Sequence, residues 1–203
     1  SSAASDVYKR QGASRAILEM PQTQKKLLDA IQKTGKPIVM VLFTGRPLAL
    51  QSEEKQVNAI LNVWFGGTEA GAAIADVLTG KVSPTGKLTM SFPRVTGQCP
   101  IYYNHKMTGR PMSPDAWYTR YVSNYIDVLN EPLYPFGYGL SYTTYTYGDV
   151  SLNTNSMDAN GKIQASVIVT NTGAQDGEEI VQLYLRDIVR SITPPVQELK
   201  GFK

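Results

Sequence analysis

The first half of the chain alternates short apolar runs with segments of helical spacing. Residues 21–33 have the apolar spacing of one helical face, formed by Leu27, Leu28 and Ile31. A glycine and a proline follow directly, as they often do at helix ends. Residues 38–43 and 59–65 are instead nearly continuous apolar runs, which are typical of parallel strands buried on both faces. The pattern predicts one helix and two parallel strands.

Two further segments complete this part of the predicted sheet. Residues 47–57 are weakly helical and have a length that suits the crossover between parallel strands, so we predict a βαβ unit. Residues 87–92 alternate moderately between apolar and polar positions and stand between prolines. Prolines at the ends are typical of an edge strand, and we predict another strand here.

A glycine-rich turn follows the second apolar run. Residues 66–71 contain three glycines and Glu69, and residues 72–78 have helical composition and end before Gly80. In an open α/β sheet such a turn lies in the crevice outside the carboxyl end of a strand, where ligands bind. We therefore predict that Glu69 lies at a ligand-binding edge. From spacing alone the alternative is structural, with Thr68 capping the helix and Glu69 as an acid of its first turn.

The second half has a different pattern. Residues 102–147 hold ten of the twelve tyrosines and Trp117, without sustained periodicity. Tyrosine-rich loops suit sugar contacts because the ring packs while the hydroxyl bonds, but packing between two domains explains them equally well. Beyond them, residues 180–186 and 196–202 have strand character. Residues 162–170 are a further predicted strand, with one apolar face made of Ile163, Ala165, Val167 and Val169.

Composition narrows the classes of function. The net charge of +3 and the absence of any Lys/Arg block argue against a nucleic-acid partner. The longest apolar run, residues 37–43, is far shorter than the roughly 20 residues of a membrane span. One cysteine, Cys99, and one histidine, His105, cannot form an internal disulfide or a Cys/His zinc site. We expect neither a membrane span nor a metal.

Five motifs occur in the order found in one enzyme family. They are residues 36–50, 64–71, 75–80, 83–88 and 134–143. With them the chain, from about residue 13 to 203, resembles glycoside hydrolase family 3 in the β-glucosidase branch typified by bacterial periplasmic enzymes. The resemblance implies a periplasmic or secreted protein that needs no cofactor and acts on an oligosaccharide or β-glucoside.

The resemblance also implies a domain order of an N-terminal (β/α)8 barrel, an α/β sandwich and a fibronectin type III-like β-sandwich. We therefore expect an α/β plus β fold class without the barrel. Residues 12–101 would be the C-terminal half of the α/β sandwich, with a mostly parallel sheet and flanking helices, and residues 102–147 a connector. Residues 148–203, with about four strands where such a sandwich has about seven, would be an incomplete β-sandwich. Residues 1–11 have no signal-peptide core and are interpreted as a non-native or disordered tail.

Family members are retaining hydrolases with two carboxyl groups about 5–5.5 Å apart. The resemblance places the nucleophilic Asp on the barrel and the general acid/base at Glu69, where Ala70 replaces the glycine usual in the family. The fragment would then be inactive alone and would act with its barrel on terminal β-linked glucose or xylose. The alternative is a carbohydrate-binding or cell-surface interaction module, in which Glu69 is dispensable.

Other candidates have less support from their surroundings. Arg110 and Tyr118 are candidate substrate-binding residues because Arg and Tyr supply hydrogen-bond donors to sugar hydroxyls, and Arg120 lies close to them in sequence. His105 has no partner identifiable from the sequence, which favours an inert surface imidazole. By resemblance, the pair of residues 14–15 matches a Ser-Arg pair of the family.

Overall fold

The computed structural model describes residues 15–112 and 118–203. In the first of these ranges, helix α1 (Gln22–Gln32) precedes strands β1 (Val39–Leu42) and β2 (Ala59–Asn62). The two strands pair in parallel, with Val39 opposite Ala59 and Leu42 opposite Asn62. The predicted helix and the predicted parallel pair are therefore confirmed, although both strands are shorter than the apolar runs that contain them.

The connection between β1 and β2 differs from the prediction of a weak helix over residues 47–57. Its only helical turn is a 3-10 helix at Glu54–Gln56. The amide of Ala49 donates a hydrogen bond to the carbonyl of Leu18 at 2.9 Å. This amide is therefore bonded to a distant residue and not to a carbonyl of the preceding helical turn. Leu50, the next residue, is fully buried. These tertiary contacts outweigh the weak helix propensity of the segment.

The core lies under the β1–β2 sheet and centres on Leu42, Leu50 and Phe92. The ring of Phe92 packs against Trp64, with 5.8 Å between ring centroids, and against Tyr134 at 6.2 Å. Partly buried residues complete this cluster: Met20, Met40, Leu48, Ile60, Leu88 and Leu133. Burial of this apolar surface stabilises the fold.

The strand predicted over residues 87–92 does not form as a regular strand. The segment makes hydrogen bonds only near its ends, where the amide of Leu88 donates to the carbonyl of Tyr138 and that of Phe92 donates to the carbonyl of Tyr134, both at 2.8 Å. Between these points the partner segment contains Pro135, which has no N–H to donate. The hydroxyl of Ser91 accepts the next amide at 3.2 Å, and the regular ladder is interrupted.

Antiparallel pairs make up the second half. Tyr145–Tyr147 (β3) pairs with Val169–Asn171 (β6), and Ser151–Leu152 (β4) pairs with Ala165–Ser166 (β5). The strand predicted over residues 162–170 is therefore divided between β5 and β6. Three residues separate β3 from β4, whereas two separate β5 from β6, and such an extra residue breaks a ladder as a β-bulge does.

The last two strands, Gln182–Leu185 (β7) and Glu198–Phe202 (β8), form another antiparallel pair with a register shift at Leu183/Tyr184. They match the strands predicted over residues 180–186 and 196–202. No helix within residues 15–112 or 118–203 has the length and apolar character needed to cross a membrane.

Candidate active site

A strained turn carries the chain from β2 to Glu69. Trp64 has a left-handed backbone (φ 47°), which costs a residue with a side chain about 1–2 kcal/mol. Packing of its ring on Phe92 in the core offsets this cost. Gly67 is also left-handed (φ +69°), and a Cβ on Gly66 would lie only 2.7 Å from the Cβ of Ala70. The glycines of the motif therefore allow the tight approach of this turn to the following helix.

Glu69 is the N-cap residue of helix α2 (Ala70–Leu78), and its carbonyl accepts a hydrogen bond from the amide of Ala73 at 3.1 Å. The structure thus differs from the alternative in which Thr68 caps the helix. The carboxylate of Glu69 caps no backbone amide and is exposed. Among the described residues it has no hydrogen-bond or ion-pair partner, so the fold holds it in place only through the backbone.

An open hollow of about 280 Å³ lies beside this carboxylate. Its lining consists of Glu69 and five residues of the turn and the helix, Val63, Gly66, Ala70, Ala73 and Ile74. A single carboxylate at the edge of an apolar wall can exchange a proton with a bound molecule, and the wall offers that molecule a surface from which water can be removed.

The remaining predicted site residues lie elsewhere. Arg110 and Tyr118 are exposed and do not line the hollow. The backbone carbonyl of Arg110 accepts a hydrogen bond from the amide of Ser123 at 2.9 Å, which is a structural contact. Arg120 is exposed as well. The structure does not bring these side chains together with Glu69.

His105, Arg15 and Cys99 are also away from the hollow. The ring Nδ1 of His105 lies 3.1 Å from the carbonyl of Lys106, and its own carbonyl accepts the amide of Val196 at 2.8 Å. The carbonyl of Arg15 accepts a hydrogen bond from a guanidinium nitrogen of Arg46. Ser14, Trp117 and the tail of residues 1–11 lie outside the described residues.

Three side chains with a raised pKa lie away from the hollow. Burial and the negative charge of Glu54 raise the pKa of Tyr134 to about 12. Burial and the hydrogen bond to Glu179 raise the pKa of Tyr147 to about 12. Burial likewise raises the pKa of the Cys99 thiol. None of these groups is poised to exchange protons near neutral pH.

Sequence reasoning missed a buried carboxylate. Glu53 is almost fully buried, its Oε1 lies 3.3 Å from the Nζ of Lys25, and the hydroxyl of Ser52 donates to its Oε2 at 2.7 Å. The ion pair ties α1 to the connection between β1 and β2. A run of Glu, Glu and Lys is ordinarily typical of a solvated face, so no local signal marked this residue.

The far end of α2 is held by residues of the motif at 134–143, to which the sequence assigned no role. The hydroxyl of Tyr142 donates to the carbonyl of Val77 at 2.8 Å. The hydroxyls of Ser83 and Ser141 lie 2.8 Å apart. The amide of Tyr142 donates a hydrogen bond to the hydroxyl of Ser83 at 3.0 Å. The C-terminal end of the helix that follows Glu69 is therefore attached to a distant segment of the chain.

Comparison with known proteins places the chain in a family. The family model described as the glycosyl hydrolase family 3 C-terminal domain matches residues 2–142. A periplasmic beta-glucosidase of Salmonella typhimurium is 53% identical over 95% of this chain and 25% of its own length. A beta-xylosidase of Formosa agariphila is 46% identical over 95% of this chain and 26% of its own length.

A solved structure agrees with these matches. The crystal structure of a beta-glucosidase from Listeria innocua in complex with isofagomine superposes with a TM-score of 0.89 and is 44% identical, covering 94% of this chain and 26% of its own. The chain thus spans about a quarter of the length of the relatives it matches. Because the family model covers more than half of the sequence, the chain belongs to glycoside hydrolase family 3.

Proposed function

We propose that this chain is the part of a retaining, exo-acting β-glucosidase-like hydrolase that carries the general acid/base, Glu69. The observation that supports it is the carboxylate itself, exposed and without a partner among the described residues, at the edge of an apolar hollow and at the start of a helix. The side chain of Glu69 makes no capping hydrogen bond, so it is free to contact a molecule bound in the hollow.

The nucleophilic Asp belongs, in this proposal, to an N-terminal barrel of the full-length protein. The Asp attacks the anomeric carbon while Glu69 donates its proton to the departing glycosidic oxygen. A glycosyl-enzyme forms and the leaving group departs as an alcohol. Glu69, now a carboxylate, then takes a proton from the water that hydrolyses the intermediate, which releases the sugar and returns both groups to their initial state.

The position of Glu69 explains why the barrel is needed. A retaining glycosidase needs two carboxyl groups about 5–5.5 Å apart. Glu69 is the only carboxylate among the residues that line the hollow. The reaction therefore needs a second carboxylate that is supplied from outside the hollow. The 203-residue chain by itself is expected to be inactive.

The domain assignment is part of the same proposal. Residues 12–101 are the C-terminal half of the α/β sandwich domain, residues 102–147 the connector and residues 148–203 the first part of a fibronectin type III-like domain. The parallel pair β1–β2 and the antiparallel pairs of the second half support this division. A periplasmic or secreted location is supported by the relative of Salmonella typhimurium.

The proposed substrates are terminal β-linked glucose or xylose units. The relatives support both sugars, because one is named a periplasmic beta-glucosidase and another a beta-xylosidase. Glucose and xylose differ by one hydroxymethyl group.

The test uses a full-length chimera in which residues 15–203 replace the equivalent segment of the periplasmic beta-glucosidase of Salmonella typhimurium. Glu69→Ala should lower kcat/KM for a β-linked disaccharide by about 10²–10⁴-fold, the contribution of a general acid. Activated aryl glucosides should lose much less at the glycosylation step, since their leaving groups depart without a proton. Azide should restore turnover and yield a β-glycosyl azide.

The matched control is Glu178→Ala, which removes an exposed carboxylate of the second half and should leave both substrates unaffected. A loss below about threefold with the disaccharide in Glu69→Ala, which is under about 0.7 kcal/mol of transition-state stabilisation, would mean that another residue is the acid. The interaction-module alternative would then gain support, and binding of the sugar to the unaltered 203-residue chain would establish it.

A further inference from the structure

Helix α2 packs only lightly on the rest of the described chain. None of its residues is buried in the described part of the chain, and the hollow leaves one side of it open. Helices are normally oriented by an apolar stripe packed on the core. Ala70, Ile74 and Val77 of α2 are only partly buried, so its apolar stripe is shallow and contacts at its ends contribute to the direction in which it points.

The contacts at the C-terminal end are of two kinds. The amides of Thr79 and Gly80 donate to the carbonyls of Ala75 and Val77 at 2.9 and 3.0 Å, but these local bonds move with the helix. The bond from the Tyr142 hydroxyl to the Val77 carbonyl instead joins residues 65 positions apart in the chain. Contacts of this second kind can fix the helix relative to the rest of the protein.

The segment that holds the helix is itself attached to the core. Tyr134, at its start, packs on Phe92, and the carbonyl of Gly139 accepts a hydrogen bond from the Nζ of Lys87 at 3.1 Å. The paired hydroxyls of Ser83 and Ser141 add a second attachment just after the helix. Tyr142 therefore links the C-terminal end of α2 to a segment that is itself attached to the core.

A small rotation of this helix matters at Glu69. Eight residues separate Glu69 from Val77, which at 1.5 Å per residue is about 12 Å. A rotation of about 5° around the Val77 end moves the other end by about 1 Å. A misplacement of that size can lower a rate by about 10²-fold when the displaced group takes part in the reaction.

We propose that Tyr142, supported by the Ser83–Ser141 pair, is a positioning residue for Glu69. Its hydroxyl fixes the C-terminal end of α2 and thereby directs the carboxylate at the other end. The inference rests on the proposed acid/base role of Glu69. It extends the site to a residue at the opposite end of the helix from the carboxylate.

The first experiment uses the chimera described above and the variant Tyr142→Phe, which removes one hydroxyl. We expect kcat/KM for a β-linked disaccharide to fall about 3- to 10-fold, as the loss of one hydrogen bond permits. For 2,4-dinitrophenyl glucoside, which needs no proton, the change should stay below about twofold. A variant that merely lowered the folded fraction would reduce both rates equally.

Tyr147→Phe is the matched control. Tyr147 is exposed to the same extent as Tyr142, 49% against 47%, and its hydroxyl also donates a 2.8 Å hydrogen bond, in this case to Glu179. Tyr147 does not contact α2 in the described residues. It should show no difference between the two substrates.

The second experiment needs no activity and uses the 203-residue chain as it is. Hydrogen exchange should become about 3- to 10-fold faster at the amides of α2 in Tyr142→Phe and stay unchanged there in Tyr147→Phe. Ser141→Ala should act in the same direction as Tyr142→Phe, because the hydroxyl pair attaches the same end of the helix.

The outcomes separate the two proposals. If Glu69→Ala shows the substrate-selective loss and Tyr142→Phe does not, the positioning role is overturned while the acid/base role stands. If Glu69→Ala shows no selective loss, the proposed function fails and positioning of an acid fails with it. Unchanged exchange in α2 of Tyr142→Phe would overturn the attachment itself, whatever the kinetics.

Discussion

The two regions of the chain, residues 15–143 and residues 144–203, differ in how far their strands are buried. Residues 15–112 and 118–143 contain only two of the eight strands, yet every buried residue of the described chain lies there. Residues 144–203 contain the other six strands, and none of their residues is buried. The strands of residues 144–203 thus pair without a buried face in the described chain, whereas a sheet becomes stable when one of its faces packs against another layer.

The orientation of β7 makes the contrast concrete. Its inward positions are Gln182, which donates to the carbonyl of Gly137 at 3.0 Å, and Tyr184, whose ring packs edge-on against Tyr103. The alternate positions, Leu183 and Leu185, are both about half exposed. The polar face of the strand therefore meets the first region, and the apolar face is uncovered in the described part of the chain.

The largest expected effect compares two phenylalanines, one in each region. Phe92 is 2% exposed and Phe202 is 74% exposed. Phe92→Ala should lower the free energy of unfolding by about 3–5 kcal/mol because it leaves a cavity in the core. Phe202→Ala should change it by less than about 0.5 kcal/mol.

Urea unfolding of both variants, followed by fluorescence and circular dichroism, measures these changes. Equal decreases in the free energy of unfolding in the two variants would show that the second region has a core of its own. The two regions would then not differ in burial.

An intermediate effect concerns the ion pair that joins the two regions. The Nζ of Lys87 lies 3.0 Å from Glu179, and both side chains are only about 15% exposed. Lys87→Met should cost about 1–3 kcal/mol because it leaves Glu179 without its charged partner. It should also let the regions unfold separately, since the pair of Lys87 with Glu179 joins one region to the other.

Lys81→Met is the control for this change, because Lys81 makes an ion pair of the same length, 3.0 Å, with Asp76 but is 71% exposed. Surface pairs of this kind contribute about 0–1 kcal/mol. A single cooperative transition of unchanged midpoint in Lys87→Met would contradict the joining role of the buried pair.

The smallest expected effect appears at high pH. The pKa of Tyr134 is raised to about 12 in the folded chain, and an unperturbed phenol has a pKa near 10. The neutral phenol is therefore favoured by folding. Its contribution to stability is complete below about pH 10 and is lost as the pH rises toward 12.

Melting temperatures between pH 9 and 12 check this prediction. The decrease should be smaller in Tyr134→Phe, which has no phenol to ionise in the core, than in the unaltered chain. An identical decrease in both would mean that ionisation of Tyr134 does not contribute to the alkaline loss of stability.

Local patterns were sufficient where neighbours along the chain decide the structure. Helix α1, the parallel strands and the glycine turn before α2 were predicted correctly because apolar spacing and glycine conformations act over a few residues. The prediction was wrong for residues 47–57 and for the regular strand over residues 87–92. In both segments, contacts with distant residues, Leu18 in one case and Tyr134 to Tyr138 in the other, redirect the backbone hydrogen bonds.

The sequence by itself determined the family, through five ordered motifs, and the placement of a carboxylate between a glycine turn and a helix. Only the tertiary structure decided that Glu69 is the N-cap residue of α2 and that its carboxylate has no partner in the described chain. It also decided that Glu53 is buried and that the hydroxyl of Tyr142 binds the C-terminal end of α2. The physical reason is distance along the chain. A hydrogen bond between residues 65 positions apart leaves no periodicity in the sequence, because it exists only once the segments between them have folded.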